Sequence, residues 1–358
     1  MSAADPPVPY AGTVRVLVAM SGGVDSSVAA ALLVADGHQV VGATLKLWGG
    51  DSDSGCCSVA DVDDARSVAR QLGVDHHVFN FAADFERSVI EPYVAEHAAG
   101  RTPNPCVECN RHVKFGTLLA RARRLGFDAL ATGHHARVAA GRHGPELRRG
   151  ADRAKDQSYV LSMLDRSQLA DLVLPVGALT KAQVRAEATR LGLRTAAKAD
   201  SQEVCFIHSS VGRRRFLGDR VALHPGQVVD GSGSVVGTVP AVELVTVGQR
   251  RGLGVAASGR RHYALRVDVV NRLVEVGDRQ ASLTTAVPFE EATTVDPAGR
   301  LPARVLVQSS AHGGAGAGRV EPGRVVLDEP RVAVAPGQTL AFYDPHDPDR
   351  VVGSAVAT

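Results

Sequence analysis

The stretch that decides the fold runs from Val14 to Val34 and reads VRVLVAM, then SGGVDSS, then VAAALLV. Its first part is a short valine-rich run, which is typical of a buried strand of a parallel sheet. Its last part is rich in alanine and leucine and is followed by Asp36-Gly37, which predicts a helix that ends at a glycine. Two glycines, three serines and an aspartate lie between them. The backbone N–H groups and helix dipole at such a junction suit a phosphate.

Strand and helix patterns alternate from residue 14 to residue 135, which predicts an α/β domain with a doubly wound parallel sheet. Ligands of such sheets bind beyond the carboxyl ends of the strands. The glycine-rich loop, Leu45 and Gly133-His134 lie at those ends, so we expect them to line one pocket. The strands are expected at residues 14–20, 40–47, 77–81 and 128–132, with helices at residues 59–72, 85–97, 115–125 and 181–191.

The sequence changes in character from Pro225 onward, where glycine and proline become frequent and short valine-rich runs recur. Turn residues separate these runs at the spacing expected of an all-β barrel or sandwich, and one such strand is expected at residues 242–247. We therefore predict three domains. They are a nucleotide-binding and catalytic domain at residues 1–212, a small, mostly β central domain at residues 213–284, and a C-terminal β-barrel at residues 285–358.

Charge alone does not indicate a partner for this chain. It has 358 residues, a formal net charge of +2 and an isoelectric point near 8.3, which is only mildly basic. Arginine-rich patches are nevertheless compatible with a polyanionic partner, and they lie near residues 111–124, 148–155, 213–215 and 250–251. The chain has no run of eighteen apolar residues, and its first twelve residues lack an apolar signal core. We therefore expect no membrane partner and a cytoplasmic location.

All five cysteines lie within the first 205 residues. In a reducing compartment, cysteines are more often reactive or metal-binding than disulfide-bonded. Cys106 and Cys109 form a C-x-x-C pair, and Cys205 lies about a hundred residues further on. Cations or a helix N-terminus can produce a nucleophilic thiolate, and Arg111 follows the pair. A closed zinc site needs four ligands, so zinc would require a histidine besides these three cysteines.

The loop S-G-G-V-D-S at residues 21–26 resembles the PP-loop of the ATP pyrophosphatase superfamily, whose members split ATP between the α- and β-phosphates. It is not a Walker loop, because no lysine follows its glycines. Together with other motifs, it makes the chain similar to the bacterial tRNA-specific 2-thiouridylase family over nearly its whole length. Those motifs are RTPNP at 101–105, CN at 109–110, KF at 114–115, ATGH at 131–134, KDQSY at 155–159, DS at 200–201, CFI at 205–207, VGQRRGL at 247–253 and PGQ at 336–338.

The resemblance implies the activity of a tRNA-uridine 2-sulfurtransferase. ATP would adenylate the oxygen on carbon 2 of the wobble uridine in tRNAs for Lys, Glu and Gln, and sulfur would replace that oxygen. The implied cofactors are ATP and Mg²⁺. The implied partners are tRNA and a sulfur donor protein, either a cysteine desulfurase or a sulfur relay protein.

The resemblance also assigns site residues. Cys109 matches the family's nucleophile and Cys205 its persulfide carrier, and Asp25 is the carboxylate expected to help place the metal. The positions that match the family's ATP site are Ala19, Met20, Ser21, Gly22, Gly23, Val24, Asp25, Ser26, Leu45 and Gly133. The positions that match its contacts to tRNA and the target base are Asn104, Pro105, Cys106, His134, Lys155, Asp156, Gln157 and Gln338.

Several of these positions could have a purely structural role instead of a contact with tRNA or ATP. Asp156 and Gln157 could cap a helix that starts at Ser158, and Gln338 could be a turn residue. Leu45 could be a core residue and no more.

The cysteines leave the mechanism open. Many family members carry aspartate where this chain has Cys106, so a carboxylate role at that position is not carried over. Cys106, Cys109 and Cys205 could instead hold a [4Fe–4S] cluster with one open iron. A different class of function is a PP-loop ligase or amidotransferase that acts on a small molecule, which would need neither the cysteines nor RNA.

Overall fold

The computed structural model describes residues 12–47, 58–200, 204–207, 212–255 and 261–358. Cys56, Cys57 and Ser201 lie outside these ranges, as do residues 1–11. Within the described ranges, no helix has both the length and the apolar character needed to cross a bilayer.

The first domain is built on a five-stranded sheet in which all neighbouring strands pair in parallel, as the alternating pattern predicted. Its strands are β1 (Arg15–Ala19), β2 (Gln39–Lys46), β3 (Asp75–Asn80), β4 (Ala129–Thr132) and β7 (Leu172–Val173). They are arranged in the order β3-β2-β1-β4-β7, so β1 is the central strand. Between β4 and β7, β5 (Ala136–Gly141) and β6 (Gly144–Arg149) form a separate antiparallel hairpin.

The central position of β1 explains its run of apolar residues. Val16, Leu17 and Val18 are fully buried, because helices cover both faces of the sheet. Successive side chains of a strand point to opposite faces. Accordingly, Leu17 packs into one hydrophobic core with Leu45, whereas Val16 and Val18 pack into a second core with Val28.

Two of the helical runs that cover this sheet are longer than the sequence pattern predicted. The first run extends from Ala82 to Ala98, and the second starts at Pro105 rather than near residue 115. Each run contains a π-helical stretch, a feature that is common at functional sites. The helices are α1 (Val24–Ala35), α2 (Val59–Leu72), α3 (Ala82–Phe85), α4 (Glu91–Ala98), α5 (Pro105–Glu108), α6 (Leu119–Arg124), α7 (Ser158–Leu161), α8 (Arg166–Ala170), α9 (Lys181–Arg190) and α10 (Gly212–Gly218), with π-helical stretches at Glu86–Ile90 and Cys109–Leu118.

The remainder of the chain is mostly β structure in two units, as predicted. The central sheet has the order β10-β11-β8-β9, and the last six strands close into a barrel of order β12-β15-β14-β13-β16-β17, which leaves no open sheet edge. The predicted strand at residues 242–247 is wrong: Val242–Leu244 is a short 3₁₀ turn whose Val242 side chain fills the central core. The strands are β8 (Gly226–Val229), β9 (Val235–Val239), β10 (Tyr263–Asp268), β11 (Leu273–Gly277), β12 (Leu283–Thr294), β13 (Arg304–Gln308), β14 (Gly316–Glu321), β15 (Arg324–Val332), β16 (Thr339–Tyr343) and β17 (Val351–Ala357).

The barrel is fixed to the first domain through the β5–β6 hairpin. The Arg149 guanidinium lies 3.6 Å from the ring centroid of Tyr343, and Arg137 pairs with Asp349 at 2.9 Å. A second contact joins the loop before β16 to the segment before α5, where the Thr102 N–H donates to the Pro336 carbonyl at 2.7 Å.

His97 of α4 lies where the first domain meets the central one. Its ring is 2% exposed, stacks edge-on at 4.6 Å from the Tyr93 ring, and places Nδ1 3.3 Å from the Glu243 carbonyl oxygen. Burial, with the nearby Arg213 charge, lowers the pKa of His97 to about 4. The neutral imidazole is therefore the form that the folded protein stabilises.

We predict that the folded chain loses stability as the pH falls from about 6.5 toward 4, because an unfolded histidine takes up its proton near pH 6.5 while folded His97 resists it. The stability is fully present above pH 6.5, and its loss has an upper limit of about 1.4 kcal/mol per pH unit for this one group. Replacing His97→Gln should reduce the slope of unfolding free energy against pH, measured by urea denaturation at several pH values.

His143, which is exposed in the β5–β6 turn, provides the matched control. His143→Gln should leave the slope close to that of the wild type. Equal slopes for the wild type and His97→Gln would show that His97 does not contribute to the pH dependence.

Candidate functional site

The glycine-rich loop joins the carboxyl end of β1 to the start of α1. Gly22 has φ +72°, in the left-handed region, and an added Cβ would lie 2.3 Å from the Asp61 carbonyl oxygen, so only glycine fits. The loop is tied internally by serine: Ser26 Oγ accepts from the Ser21 N–H at 3.2 Å, and Ser27 Oγ donates to the Gly23 carbonyl at 2.8 Å. The loop therefore has a defined shape at a helix N-terminus, as a phosphate site requires.

Gly133 follows β4 and lies directly against the first turn of α1. A Cβ on Gly133 would lie 2.5 Å from the Ser26 nitrogen and 2.7 Å from the Asp25 carbonyl carbon, both of them backbone atoms. The structure thus brings the loop and the end of β4 together, as expected for one pocket. Leu45 and Met20 are 8% and 1% exposed, and Leu45 belongs to the hydrophobic core, so a contact of Leu45 with adenine stays a prediction.

The Asp25 carboxylate projects from the first turn of α1 and is held by two basic side chains. Lys181 Nζ lies 2.7 Å from each carboxylate oxygen, and His135 Nε2 lies 3.1 Å from Oδ1. Burial alone would raise the pKa of Asp25, but the bonds from His135 and Lys181 outweigh it and hold the pKa below its usual value. Asp25 is therefore ionised, and a Mg²⁺ ion at this carboxylate would have to share it with Lys181.

Lys181 also bridges to a second carboxylate. Its Nζ lies 2.8 Å from Asp200 Oδ1, and Asp200 pairs in addition with Lys155 at 2.9 Å and Arg185 at 2.7 Å. Burial opposes ionisation of Asp200, yet the bonds from Lys181 and Lys155 place its pKa well below the ordinary value. We call Asp25, Asp200, Lys155, Lys181 and Arg185 the loop ion cluster. Sequence reasoning missed Lys181 and Arg185; the only local signal was a helix start after Thr180.

Cys109 and Cys205 are associated with the hydrophobic core that contains Leu17. Cys109 is 7% exposed and belongs to that hydrophobic core, and Cys205 packs against the same core. Beside Cys205, the Phe206 ring is held by Phe85 and Tyr93 at centroid distances of 5.7 and 5.5 Å. The structure therefore places the two sulfur-bearing residues on one hydrophobic core, although they are far apart in sequence.

The helix that carries Cys109 is set by Asn104. Asn104 Oδ1 accepts from the Cys106 N–H at 3.1 Å, and Pro105 occupies the first helical position, which suits a residue without an N–H. Cys106 is exposed one turn before Cys109. Cys106, Cys109 and Cys205 are all thiols in the structure. Within the described ranges, no three His, Cys, Asp or Glu side chains converge as they would around a metal ion.

The remaining positions predicted to contact tRNA make specific bonds within the protein. Asp156 accepts from the Gly150 N–H at 2.9 Å and from the Arg149 guanidinium at 2.8 Å. It also accepts from the Ser158 N–H, the first of α7, at 3.0 Å, so Asp156 has the capping role that was the alternative to a tRNA contact. Gln157 precedes α7 but its side chain does not cap the helix, so that part of the alternative is wrong. Instead, Gln157 Oε1 accepts from the His135 N–H at 2.9 Å.

Gln338 and His134 are also engaged. Gln338 Nε2 donates to the Thr102 carbonyl, and His134 Nδ1 lies 2.7 Å from Thr132 Oγ1. Burial lowers the pKa of His134 well below its usual value, so its imidazole is neutral. Contacts of these side chains with RNA stay predictions.

Comparison with protein families covers most of the chain. Residues 14–209 match the model described as tRNA methyl transferase HUP domain, residues 214–278 the tRNA methyl transferase PRC-barrel domain, and residues 307–357 the aminomethyltransferase beta-barrel domain. Among solved structures, the U34-tRNA thiolase NcsA from Methanococcus maripaludis is 15% identical with a TM-score of 0.36, over 57% of this chain and 62% of that one.

Three curated relatives that match at much higher identity carry the name tRNA-specific 2-thiouridylase MnmA. The relative from Roseiflexus castenholzii is 44% identical over 92% of this chain and 96% of its own length. The relative from Mycolicibacterium smegmatis is 45% identical over 96% and 99%, and that from Thermobifida fusca is 44% identical over 96% and 95%. Identity at this level over nearly the full length of both chains shows that this chain belongs to the tRNA-specific 2-thiouridylase family.

Proposed function

We propose that this chain is a tRNA-uridine 2-sulfurtransferase, which uses ATP to replace the carbon-2 oxygen of the wobble uridine by sulfur. The observation that carries the proposal is the junction of the glycine-rich loop with Gly133 and Asp25, on a sheet whose core also holds Cys109 and Cys205. The names of the relatives support the same reaction. The substrates proposed are the tRNAs for Lys, Glu and Gln, and the cytoplasm is the proposed location.

The reaction requires both the glycine-rich loop and the two cysteines. The oxygen on carbon 2 of uracil is a poor leaving group, so it first attacks the α-phosphate of ATP and pyrophosphate leaves. The loop and the N-terminus of α1 would bind the phosphates in this step, and Mg²⁺ would screen their charge when bound. The product is a uridine activated as an adenylate, whose AMP can be expelled.

Sulfur then arrives on Cys205 as a persulfide supplied by a donor protein. The outer sulfur attacks carbon 2, and AMP leaves with the electron pair of the carbon–oxygen bond. The Cys109 thiolate attacks Cys205 Sγ, so the bond between Sγ and the outer sulfur breaks and its electron pair stays with the sulfur on carbon 2. The products are 2-thiouridine, AMP and a Cys109–Cys205 disulfide, which a cellular thiol must reduce before the next turnover. In an alternative order, the disulfide forms first and releases hydrosulfide, which attacks carbon 2.

Recognition of tRNA would depend on local charge, because the whole chain carries only +2. Phosphate contacts supply most of the affinity of such complexes and make it depend on salt. Lys155 is the predicted tRNA contact best placed for this role, since its side chain is 39% exposed at the edge of the loop ion cluster. A stacked wobble base must also be turned out of the anticodon to reach Cys109.

Other reactions fit the site less well. Two of the three matching family models are described as tRNA methyl transferase domains, but methyl transfer needs neither a phosphate loop of this kind nor a pair of thiols beside it. A PP-loop ligase or amidotransferase acting on a small molecule would explain the loop and leave both cysteines without a role. Sulfur transfer uses the loop and the cysteines together.

We expect Cys109→Ala and Cys205→Ala each to reduce 2-thiouridine formation by about a hundredfold or more, because each variant lacks one partner of the disulfide-forming step. ATP binding should be unchanged in both, since neither thiol belongs to the loop. Mass spectrometry of a tRNA transcript incubated with ATP, Mg²⁺ and a persulfide donor measures the first quantity, and calorimetry measures the second. Full activity in either variant would contradict the relay.

Iron and sulfide analysis of protein purified without oxygen separates the relay from the cluster alternative. The relay predicts neither element in stoichiometric amount. A [4Fe–4S] cluster in every chain, lost in all three of Cys106→Ala, Cys109→Ala and Cys205→Ala, would replace the persulfide mechanism by cluster chemistry.

We expect Gly133→Ala to weaken ATP binding by about tenfold or more, because its Cβ would displace backbone atoms of the first turn of α1. Calorimetric titration with ATP and Mg²⁺ tests this. Gly231→Ala is the matched control, since a Cβ at Gly231 would meet no atom within 4 Å. Wild-type affinity in Gly133→Ala, in a protein with an unchanged circular dichroism spectrum, would separate Gly133 from the nucleotide site.

A further inference from the structure

The short helix α7 lies between the C-terminal barrel and the helical run from Pro105 to Arg124, which carries Cys109. Its Tyr159 side chain is 1% exposed, and the hydroxyl donates to the Thr339 carbonyl of β16 at 3.0 Å. Burial raises the pKa of Tyr159 far above its usual value, so the hydroxyl keeps its proton and can donate it. Tyr159 therefore ties α7 to a strand of the barrel.

Asn104 connects the same hydroxyl to the start of the helical run. Its Oδ1 accepts from the N–H groups of Cys106 at 3.1 Å and Val107 at 3.4 Å, and its side chain is also hydrogen-bonded to Tyr159. Because Oδ1 already serves the helix, the amide NH₂ group is the part that donates to the Tyr159 hydroxyl. The barrel carbonyl, the hydroxyl, the amide and the helix N-terminus thus form one series of hydrogen bonds, in which each bond polarises the next.

A second contact from α7 holds the helical run on the other side of the C-x-x-C pair. Asn110, which is 3% exposed and follows Cys109 directly, donates through Nδ2 to the Val160 carbonyl at 3.1 Å. Neighbouring residues of one short helix therefore hold the run just before and just after its two cysteines. We call Tyr159, Asn104, Val160 and Asn110 the α7 brace.

The brace gives Asn104 a different role from the one that the resemblance implies. Asn104 matches a position expected to face the target base, yet its amide oxygen already accepts two N–H groups of the helix. A base that took this oxygen would leave the first turn of the helix uncapped, and loss of such a cap costs about 1 kcal/mol. An amide held in this way is suited to orienting the helix.

We propose that Tyr159 is a positioning residue for sulfur transfer, whose hydroxyl orients Asn104 so that the capped helix holds Cys109 where it can meet the persulfide. The inference rests on the proposed function, because it assumes that Cys109 takes part in sulfur transfer. It assigns Asn104 the task of orienting the helix in place of a contact with the base. The barrel thereby contributes, through β16, to the geometry of a site in the first domain.

The alternative is that Tyr159 only anchors the barrel. Loss of an anchor would lower the melting temperature and leave the kinetics of the folded protein unchanged. Loss of a positioning group would lower kcat and loosen the start of the helical run in a protein that is still folded, with little effect on the binding of tRNA.

The test compares Tyr159→Phe with the wild type in 2-thiouridine formation, with ATP, Mg²⁺ and a persulfide donor at saturation. We expect kcat to fall by about tenfold, while KM for a tRNA transcript changes by less than about threefold. Hydrogen exchange of the RNA-free protein should become faster by about fivefold in the peptide that contains Cys106 and Val107, because their acceptor is held less firmly.

Asn104→Ser provides a second variant of the same series of hydrogen bonds. Serine is a good helix cap, but its side chain is too short to reach Tyr159 as well. We expect Asn104→Ser to lose as much kcat as Tyr159→Phe, and the double variant to lose no more than either. A direct contact of Asn104 with the base would instead raise KM for tRNA and add its effect to that of Tyr159→Phe.

Tyr343→Phe is the matched control. Tyr343 is also a fully buried tyrosine at the junction of α7 with the barrel, but its hydroxyl lies 3.0 Å from Ser158 Oγ. This variant should lower the melting temperature as Tyr159→Phe does, yet keep kcat within about twofold of the wild type and leave the exchange of Cys106 and Val107 unchanged. Melting curves of all variants show that each is folded at the assay temperature.

The outcomes separate the two proposals. A wild-type protein that forms no 2-thiouridine would overturn the proposed function itself. If the wild type is active, an unchanged kcat in Tyr159→Phe, an equal loss in Tyr343→Phe, unchanged exchange at Cys106 and Val107, or additive losses in the double variant would each overturn the role of Tyr159 alone.

Discussion

The central constraint in this structure is the close approach of two backbone segments at the carboxyl end of the sheet. Gly133, after β4, lies so near Ser26 and Asp25 that no side chain fits between them. This contact depends on β1 and β4 being neighbours in a parallel sheet, with Val16 to Ala19 in register with Ala129 to Thr132. The position of the loop, the direction of α1 and the place of Asp25 all follow from it.

The other two domains contact the first domain near α4 and α5, close to Cys106 and Cys109. The barrel reaches the segment before α5 through Gln338 and Thr102, and it receives the Tyr159 hydroxyl at the Thr339 carbonyl, 3.0 Å away. The central domain meets α4 at His97 and Glu243. Both domains therefore fix the region around Cys106 and Cys109 from outside, and a bound RNA that contacted either domain would contact elements already tied to that region.

The sequence was most informative where structure is decided locally. The valine run of β1, the glycine-rich turn and the alanine-rich helix each carry their own signal, so the strand was predicted to within a residue at either end. The helix α1 begins at Val24, four residues before its predicted start, because the second half of the glycine-rich stretch forms its first turn. The helix at Ser158 and the capping role of Asp156 were foreseen as an alternative for the same reason. The strand predicted at 242–247 failed because its valines fill a core as a 3₁₀ turn, and a short apolar run does not distinguish the two.

What the sequence could not supply were contacts between distant residues. Lys181 and Asp25 are 156 positions apart, and nothing in the pattern around Lys181 distinguishes it from an ordinary exposed lysine at a helix start. The same holds for Arg185 beside Asp200, and for Arg149 over the ring of Tyr343. A resemblance to a family transfers roles only to positions whose motif is recognised, so ion pairs formed by tertiary packing stay hidden until the chain is folded.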